Sequence, residues 1–167
     1  MFSLGRSFKD IEPLTEKDYQ VGGCTALLDA IGGAVKHVKN VHKYARPEDV
    51  PERTMFVITT DGMENASRNY NSKQVKEMIR CQEKFGWEFL FLASNIDAVE
   101  TAGRIGVRRN RAVRYDVREE TGVMYSVLSD FVCDYRKENL MQEECALNFE
   151  AEIIKRKNKK DKYFEKK

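Results

Sequence analysis

Met55-Phe56-Val57-Ile58-Thr59-Thr60-Asp61-Gly62-Met63-Glu64-Asn65 is the stretch on which the fold turns. Met55 to Thr59 is short, mostly apolar and rich in β-formers, the pattern of a strand covered on both faces. It runs straight into an acidic turn. A strand covered on both faces is typical of a parallel sheet with helices above and below it.

The flanking sequence supports that prediction. Upstream, Gly22-Gly23 punctuates the chain, and from Thr25 the residues Leu27, Leu28, Ile31, Val35, Val38 and Val41 follow helical spacing. Ala45 to Arg53, with Pro47 and Pro51, reads as a loop. Downstream, Asn71 to Phe85 predicts a helix with Ser72 as cap and Gly86 as stop. Trp87 to Ala93 is a second apolar strand, with Trp87, Phe89 and Phe91 as core. Asp97 to Ile105 predicts a short helix ended near Gly106, and Ala112 to Val117 a third, weaker strand. Val123, Val127, Leu128, Phe131, Val132 and Tyr135 form an amphipathic helix. Glu119-Glu120 reads as its solvated start. Glu138 to Lys157 continues helically, with Leu140, Leu147 and Ile154 at seven-residue spacing, too few turns for a coiled coil. Met1 to Gln20 reads as an edge strand and a connector. The alternation of helix and strand predicts a parallel sheet with right-handed crossovers and helices on both faces.

The bulk numbers bound the rest. A chain of 167 residues suffices for one domain with a core. Its 41% apolar and 34% charged content fits a globular protein with a solvated surface. No apolar run reaches the roughly 18 to 20 residues that span a bilayer. Met1 to Asp10 lacks the pattern of a secretory signal, and Cys24, Cys81, Cys133 and Cys145 form no C-x-x-C pair. A cytoplasmic protein with free thiols and no membrane partner is the expectation. From Ala151 to Lys167 there are eight Lys or Arg against three Asp or Glu, on a body that is net negative. With acidic residues interspersed and only Tyr163 and Phe164 able to stack, the tail reads as a solvated helix end rather than a nucleic-acid surface.

In an open parallel sheet, ligands gather at the carboxyl ends of the strands. Asp61 lies there, with Gly62 permitting a tight turn behind it and Glu64 in the same turn. The loop Ser94-Asn95-Ile96-Asp97 leaves the second strand on the same edge. Thr25 stands behind Gly23 at a helix start, and Asp29 sits in the first turn, where it complements the dipole. From the residues alone, Asp61 is either a turn former or a ligand, and Thr25 either a helix cap or a ligand. One hydroxyl and one carboxylate suit part of the oxygen shell of a hard cation. No glycine-rich phosphate loop with its lysine is present. His37 and His42 lie off one helical face with no metal-spaced companion and read as surface residues. Cys24 reads as a small loop filler. Ser94 has no nucleophile elbow and no His partner.

Gly22-Gly23-Cys24-Thr25-Ala26-Leu27 with Asp29-Ala30-Ile31, followed by Thr60-Asp61-Gly62 with Glu64-Asn65, resembles the second and third metal-loop segments of von Willebrand factor type A domains. The similarity runs from about Glu12 to Arg136. It implies a three-layer, Rossmann-like α/β fold with a metal-ion-dependent adhesion site. It also implies Mg²⁺ or Mn²⁺ as the ion, and a protein partner whose carboxylate completes the coordination. On this resemblance Thr25 and Asp61 are the metal ligands. Gly23, Asp29, Gly62, Glu64, Asn95 and Asp97 form the rim or support.

The family's Asp-x-Ser-x-Ser segment does not occur in this sequence. The expectation is therefore a partial domain over 1–136, its first strands missing, with a charged helical extension over 137–167. It follows that metal binding is weak and that an apolar sheet edge beside Met55 to Thr59 is open to strand pairing or self-association. The chain then reads as a fragment, a mis-started gene product or one piece of a split protein. The leading expectation is a metal-dependent protein-binding module without catalytic activity. The alternatives are a metal-assisted phosphate-processing enzyme and a structural remnant that associates through its strands.

Overall fold

Glu88–Ala93 (β2) is the centre of the molecule: from Phe89 to Ala93 every side chain is buried. In the computed structural model β2 pairs in parallel with Met55–Thr60 (β1) on one side and with Ala112–Arg114 (β3) on the other. Phe56 lies opposite Phe89 and Ile58 opposite Phe91, while Leu92 lies opposite Val113. The structure describes Thr15, Lys17 and residues 24–94, 97–138 and 145–164, the side chains at 119, 138, 145–147 and 159–164 excepted.

The period of two along β2 divides the interior into two cores. Phe89, Phe91 and Ala93 face Leu27–Tyr44 (α1), Ser72–Glu83 (α2) and Ala98–Ile105 (α3), meeting Leu28, Ile31, Val35, Val75, Ile79 and Ala102. Leu90 and Leu92 face Val117–Glu138 (α4) and Cys145–Phe164 (α5), meeting Met124, Val127, Phe149 and Ile153. The protein is thus an α/β structure, a three-stranded parallel sheet flanked by helices. Among the described residues no helix is long and apolar enough to cross a membrane.

Several expected boundaries move, each for a local reason. The cap of α2 is Asn71, not Ser72. The Asn71 side chain accepts the N–H of Gln74, and the Gln74 side chain accepts the N–H of Asn71, each at 2.9 Å. This reciprocal box satisfies more free amides than Ser72 could from inside the helix. The third strand stops at Arg114 rather than Val117 because the chain turns there into α4, which begins at Val117, two residues before the expected start at Glu119-Glu120. The buried hydroxyl of Ser94, at the end of β2, accepts the N–H of Val117 at 3.2 Å and helps close that helix start. Gly106 ends α3 as expected, in the left-handed region at φ 92°, which an L-side chain rarely adopts.

Among the described side chains of α5 the buried positions are Phe149 and Ile153, while Ile154 is exposed. Ile154 therefore does not form an inward seven-residue seam. The spacing of four between Phe149 and Ile153 is what docks the helix on α4 and β3. Leu140 and the expected edge strand within 1–20 lie outside the described residues, as does the side chain of Leu147.

His42 differs from its surface assignment. It is half-buried, with its ring edge-on to Trp87 at 5.2 Å. Cys24, expected as loop filler, is exposed.

Candidate functional site

The segment 61–70 leaves β1 at its carboxyl end and is tied down along the first turn of α1. The tie begins inside the strand. The buried Thr60 hydroxyl accepts the N–H of Gly62 at 3.3 Å and donates to the carbonyl of Gly62 at 3.0 Å. This threonine turn sends the chain sharply past Asp61. Gly62 is not in the left-handed region: among the described glycines only Gly86 and Gly106 are. Its lack of a side chain serves a close approach instead. A β-carbon there would lie 2.8 Å from Thr25 Oγ1.

Thr25 and Asn65 then exchange main-chain and side-chain bonds. The Thr25 N–H donates to Asn65 Oδ1 at 2.8 Å, and the Thr25 carbonyl accepts the N–H groups of Asn65 at 3.0 Å and Ala66 at 3.3 Å. Thr25 is therefore not the side-chain cap of α1. The residue at the cap position is Ala26, which has no side-chain capping bond. The free amides of the first turn are met from across the fold. Glu64 Oε2 accepts the N–H of Leu28 at 2.8 Å, and Ser67 Oγ accepts the N–H of Asp29 at 3.0 Å. A helix needs acceptors at its amino end but does not require them to be local.

Glu64 also accepts the N–H groups of Ala66 and Ser67 and the hydroxyl of Ser67. Partial burial pushes its carboxyl up. The N–H groups of Ser67, Leu28 and Ala66, with the Ser67 hydroxyl, outweigh this and hold it below the usual range. Asp29 reciprocates from the helix. Its carboxylate accepts the N–H groups of Arg68, Asn69 and Tyr70 and the Asn69 side-chain amide, at 2.8 to 3.0 Å. The Arg68 N–H is the largest influence holding the Asp29 carboxyl below its ordinary value. Some desolvation opposes it, and the remaining bonds add to it.

The structure thus divides the expected site residues by task. Thr25 comes against Gly62 at the carboxyl edge of the sheet, and Asp61, the neighbour of Gly62 in the chain, is exposed to solvent. Asp29 and Glu64 use their oxygens on main-chain amides and hold the loop that carries Asp61. Asp97 caps α3, accepting the N–H of Glu100 at 2.9 Å. Gly23 and Asn95 lie outside the described residues.

Thr60 and Asn65, quoted only as part of the motif, and Ser67 are parts of this assembly to which sequence reasoning assigned no role. The signal was present: short hydroxyl and amide side chains beside a turn compete for main-chain bonds.

Among the described residues no group of three or more His, Cys, Asp or Glu could hold a metal ion. One hydroxyl and one exposed carboxylate are hard oxygen donors with little charge. That donor set fits a weakly held Mg²⁺ or Mn²⁺ retaining several waters, and does not fit zinc, which prefers nitrogen or sulfur. Compared with models of known families, with curated proteins and with solved structures, the chain gives no match.

Proposed function

We propose that this chain is a protein-binding module of the von Willebrand A kind, whose contact with its partner passes through a divalent cation at the carboxyl edge of β1. Thr25 and Asp61 supply two oxygens, and Asp29 and Glu64 hold the loop in place. Waters and a carboxylate of the partner protein complete the shell. The observation that carries the reading is the approach of the Thr25 hydroxyl to Gly62, which places it against the turn bearing Asp61. The three parallel strands in order 1-2-3 with helices on both faces support the same family.

With two protein ligands, affinity for the free ion is in the millimolar range. Mn²⁺ titration followed by NMR tests this directly, because the paramagnetic ion broadens signals near its site. Thr25, Asp61 and Gly62 should broaden first, at roughly millimolar ion, and Asp61→Asn should abolish the effect while leaving the spectrum folded. Broadening that is uniform, or unchanged in Asp61→Asn, would sink the reading.

A further inference from the structure

We infer that β1 is a dimer edge: two copies of this chain pair β1 against β1 antiparallel, with Val57 on the twofold axis, to make one six-stranded sheet. The inference does not rest on the metal reading, and the two compete for Asp61.

The ladder between β1 and β2 starts with the Glu88 N–H to the Thr54 carbonyl at 2.9 Å and ends with the Ser94 N–H to the Thr60 carbonyl at 3.0 Å. In a parallel pair, alternate residues turn both main-chain groups to the same neighbour. Residues 54, 56, 58 and 60 therefore serve β2, and Met55, Val57 and Thr59 turn theirs outward. Among the described residues no strand meets that outer edge.

Two features set β1 apart as an edge. Met55-Phe56-Val57-Ile58-Thr59-Thr60 has no charge, proline or glycine, the devices that normally discourage pairing. The opposite edge, β3, is only three residues long and ends in Arg114. Beside β1, a groove of about 510 Å³ runs along Met55 and Val57 to Val132 and Tyr135 of α4. Met55 and Val57 are only half-buried there.

Charge and register select a second copy as the occupant. With Val57 opposite its own copy, Met55 falls opposite Thr59, so every outward-turned residue meets another outward-turned residue and the bonds can form. The same register places Arg53 opposite Asp61 at both ends of the pair. Their side chains lie on the same face of the sheet. Arg53 donates to the Tyr135 carbonyl at 2.9 Å and lies over the Tyr135 ring, in the α4 layer. By the period of two along the strand, Asp61 falls on the face of Met55 and Val57, which pack against that same core. A register shifted by one residue would set outward groups against inward ones and lose both ion pairs. The axis stands perpendicular to the sheet, so the two α4 helices share one face and the two grooves meet over the Val57 pair.

The test is sedimentation of the full chain from low to high micromolar concentration, with wild type, Val57→Pro, Arg53→Glu, Asp61→Arg and the double charge swap. Wild type should approach twice the 19.4 kDa monomer mass. Val57→Pro removes an N–H that β2 does not use, so its monomer should keep a wild-type circular dichroism spectrum and not associate. Each single charge change should weaken the dimer roughly three- to tenfold, and the double swap should recover most of the loss. Amide exchange at Met55, Val57 and Thr59 should slow only as concentration rises. A chain that stays monomeric at high concentration overturns the proposal. So does a dimer indifferent to Val57→Pro, or a double swap weaker than either single change. Slow exchange of those amides at high dilution would mean that the chain covers the edge itself, and also overturns it.

Discussion

The hydroxyl of Thr25 stands 2.8 Å from the point a β-carbon on Gly62 would occupy, although 37 positions of sequence separate the two. This contact joins the start of α1 to the turn after β1. Adding one carbon at position 62 forces either the Thr25 rotamer or the turn to move. Gly62→Ala should cost about 1–3 kcal/mol, the scale of overpacking a fitted contact. In a Thr25→Ala background the obstruction is gone, so the same substitution should cost much less. Urea unfolding of the four proteins of this cycle measures the coupling. Additive costs would mean that the contact is not formed.

The loop clamp predicts acid sensitivity. Asp29 and Glu64 are both held below their ordinary carboxyl values in the folded state. The unfolded chain therefore binds protons more readily, and stability falls as pH drops. The contribution is complete above the unfolded carboxyl range and is lost as pH falls from about 5 through 4 toward the lowered folded values. Glu64→Gln with Asp29→Asn should flatten that acid limb, read from urea midpoints between about pH 3 and 7. An unchanged slope would show that the two carboxylates do not hold the loop.

Glu64 also caps α1 from a distance. Glu64→Ala leaves the Leu28, Ala66 and Ser67 amides without their acceptor. The expected loss is about 1–2 kcal/mol, the range for removing a helix cap. Hydrogen exchange should then speed up in the first turn of α1 and across 64–67, while the amides of β2 keep their protection. Faster exchange throughout β2 would point to global rather than local loosening.

Gly32 offers a third contact. It is buried on α1, and a β-carbon there would lie 2.6 Å from the Tyr70 ring. Tyr70 cannot easily retreat, because Asp29 accepts its N–H at 2.8 Å. Gly32→Ala ordinarily favours a helix by up to about 1 kcal/mol. Here it should instead destabilise by roughly 1–3 kcal/mol, measured by thermal melts. Gly33, with nothing near its β position, is the control: Gly33→Ala should be neutral or stabilising.

The carboxyl-terminal helix should behave as part of the core. Phe149 and Ile153 are almost fully buried beneath α4 and β3. Ile153→Ala should cost about 2–5 kcal/mol and Phe149→Ala about 3–5 kcal/mol. The exposed Ile154→Ala should lie within about 0.5 kcal/mol of wild type. Denaturant midpoints compare the three. Equal, small effects would mean that α5 does not pack on the sheet.

Element type was legible for most of the described chain. The apolar run at Phe89 to Ala93 and the helical spacing of Leu28, Ile31 and Val35 each needed only a short window. Boundaries were less legible. Ser72 and Asn71 are both good capping residues, and only the return bond from Gln74 separates them. Phe149 and Ile153 were passed over for Ile154 because a seven-residue series spans several helical faces until a neighbouring surface selects one.

Sequence by itself determined the alternation of helices with apolar strands and the placement of Asp61 at a strand's carboxyl end. Those follow from side-chain period and from local backbone preference, which act over a few residues. Tertiary structure alone decided what the polar residues do. Asp29 and Glu64 read from sequence as a dipole partner and a rim carboxylate. Folding brings each against main-chain amides some 36 to 41 positions away, and the amides claim their oxygens. A carboxylate goes to the nearest donors that burial leaves without water, and which donors those are is known only once the chain has closed on itself.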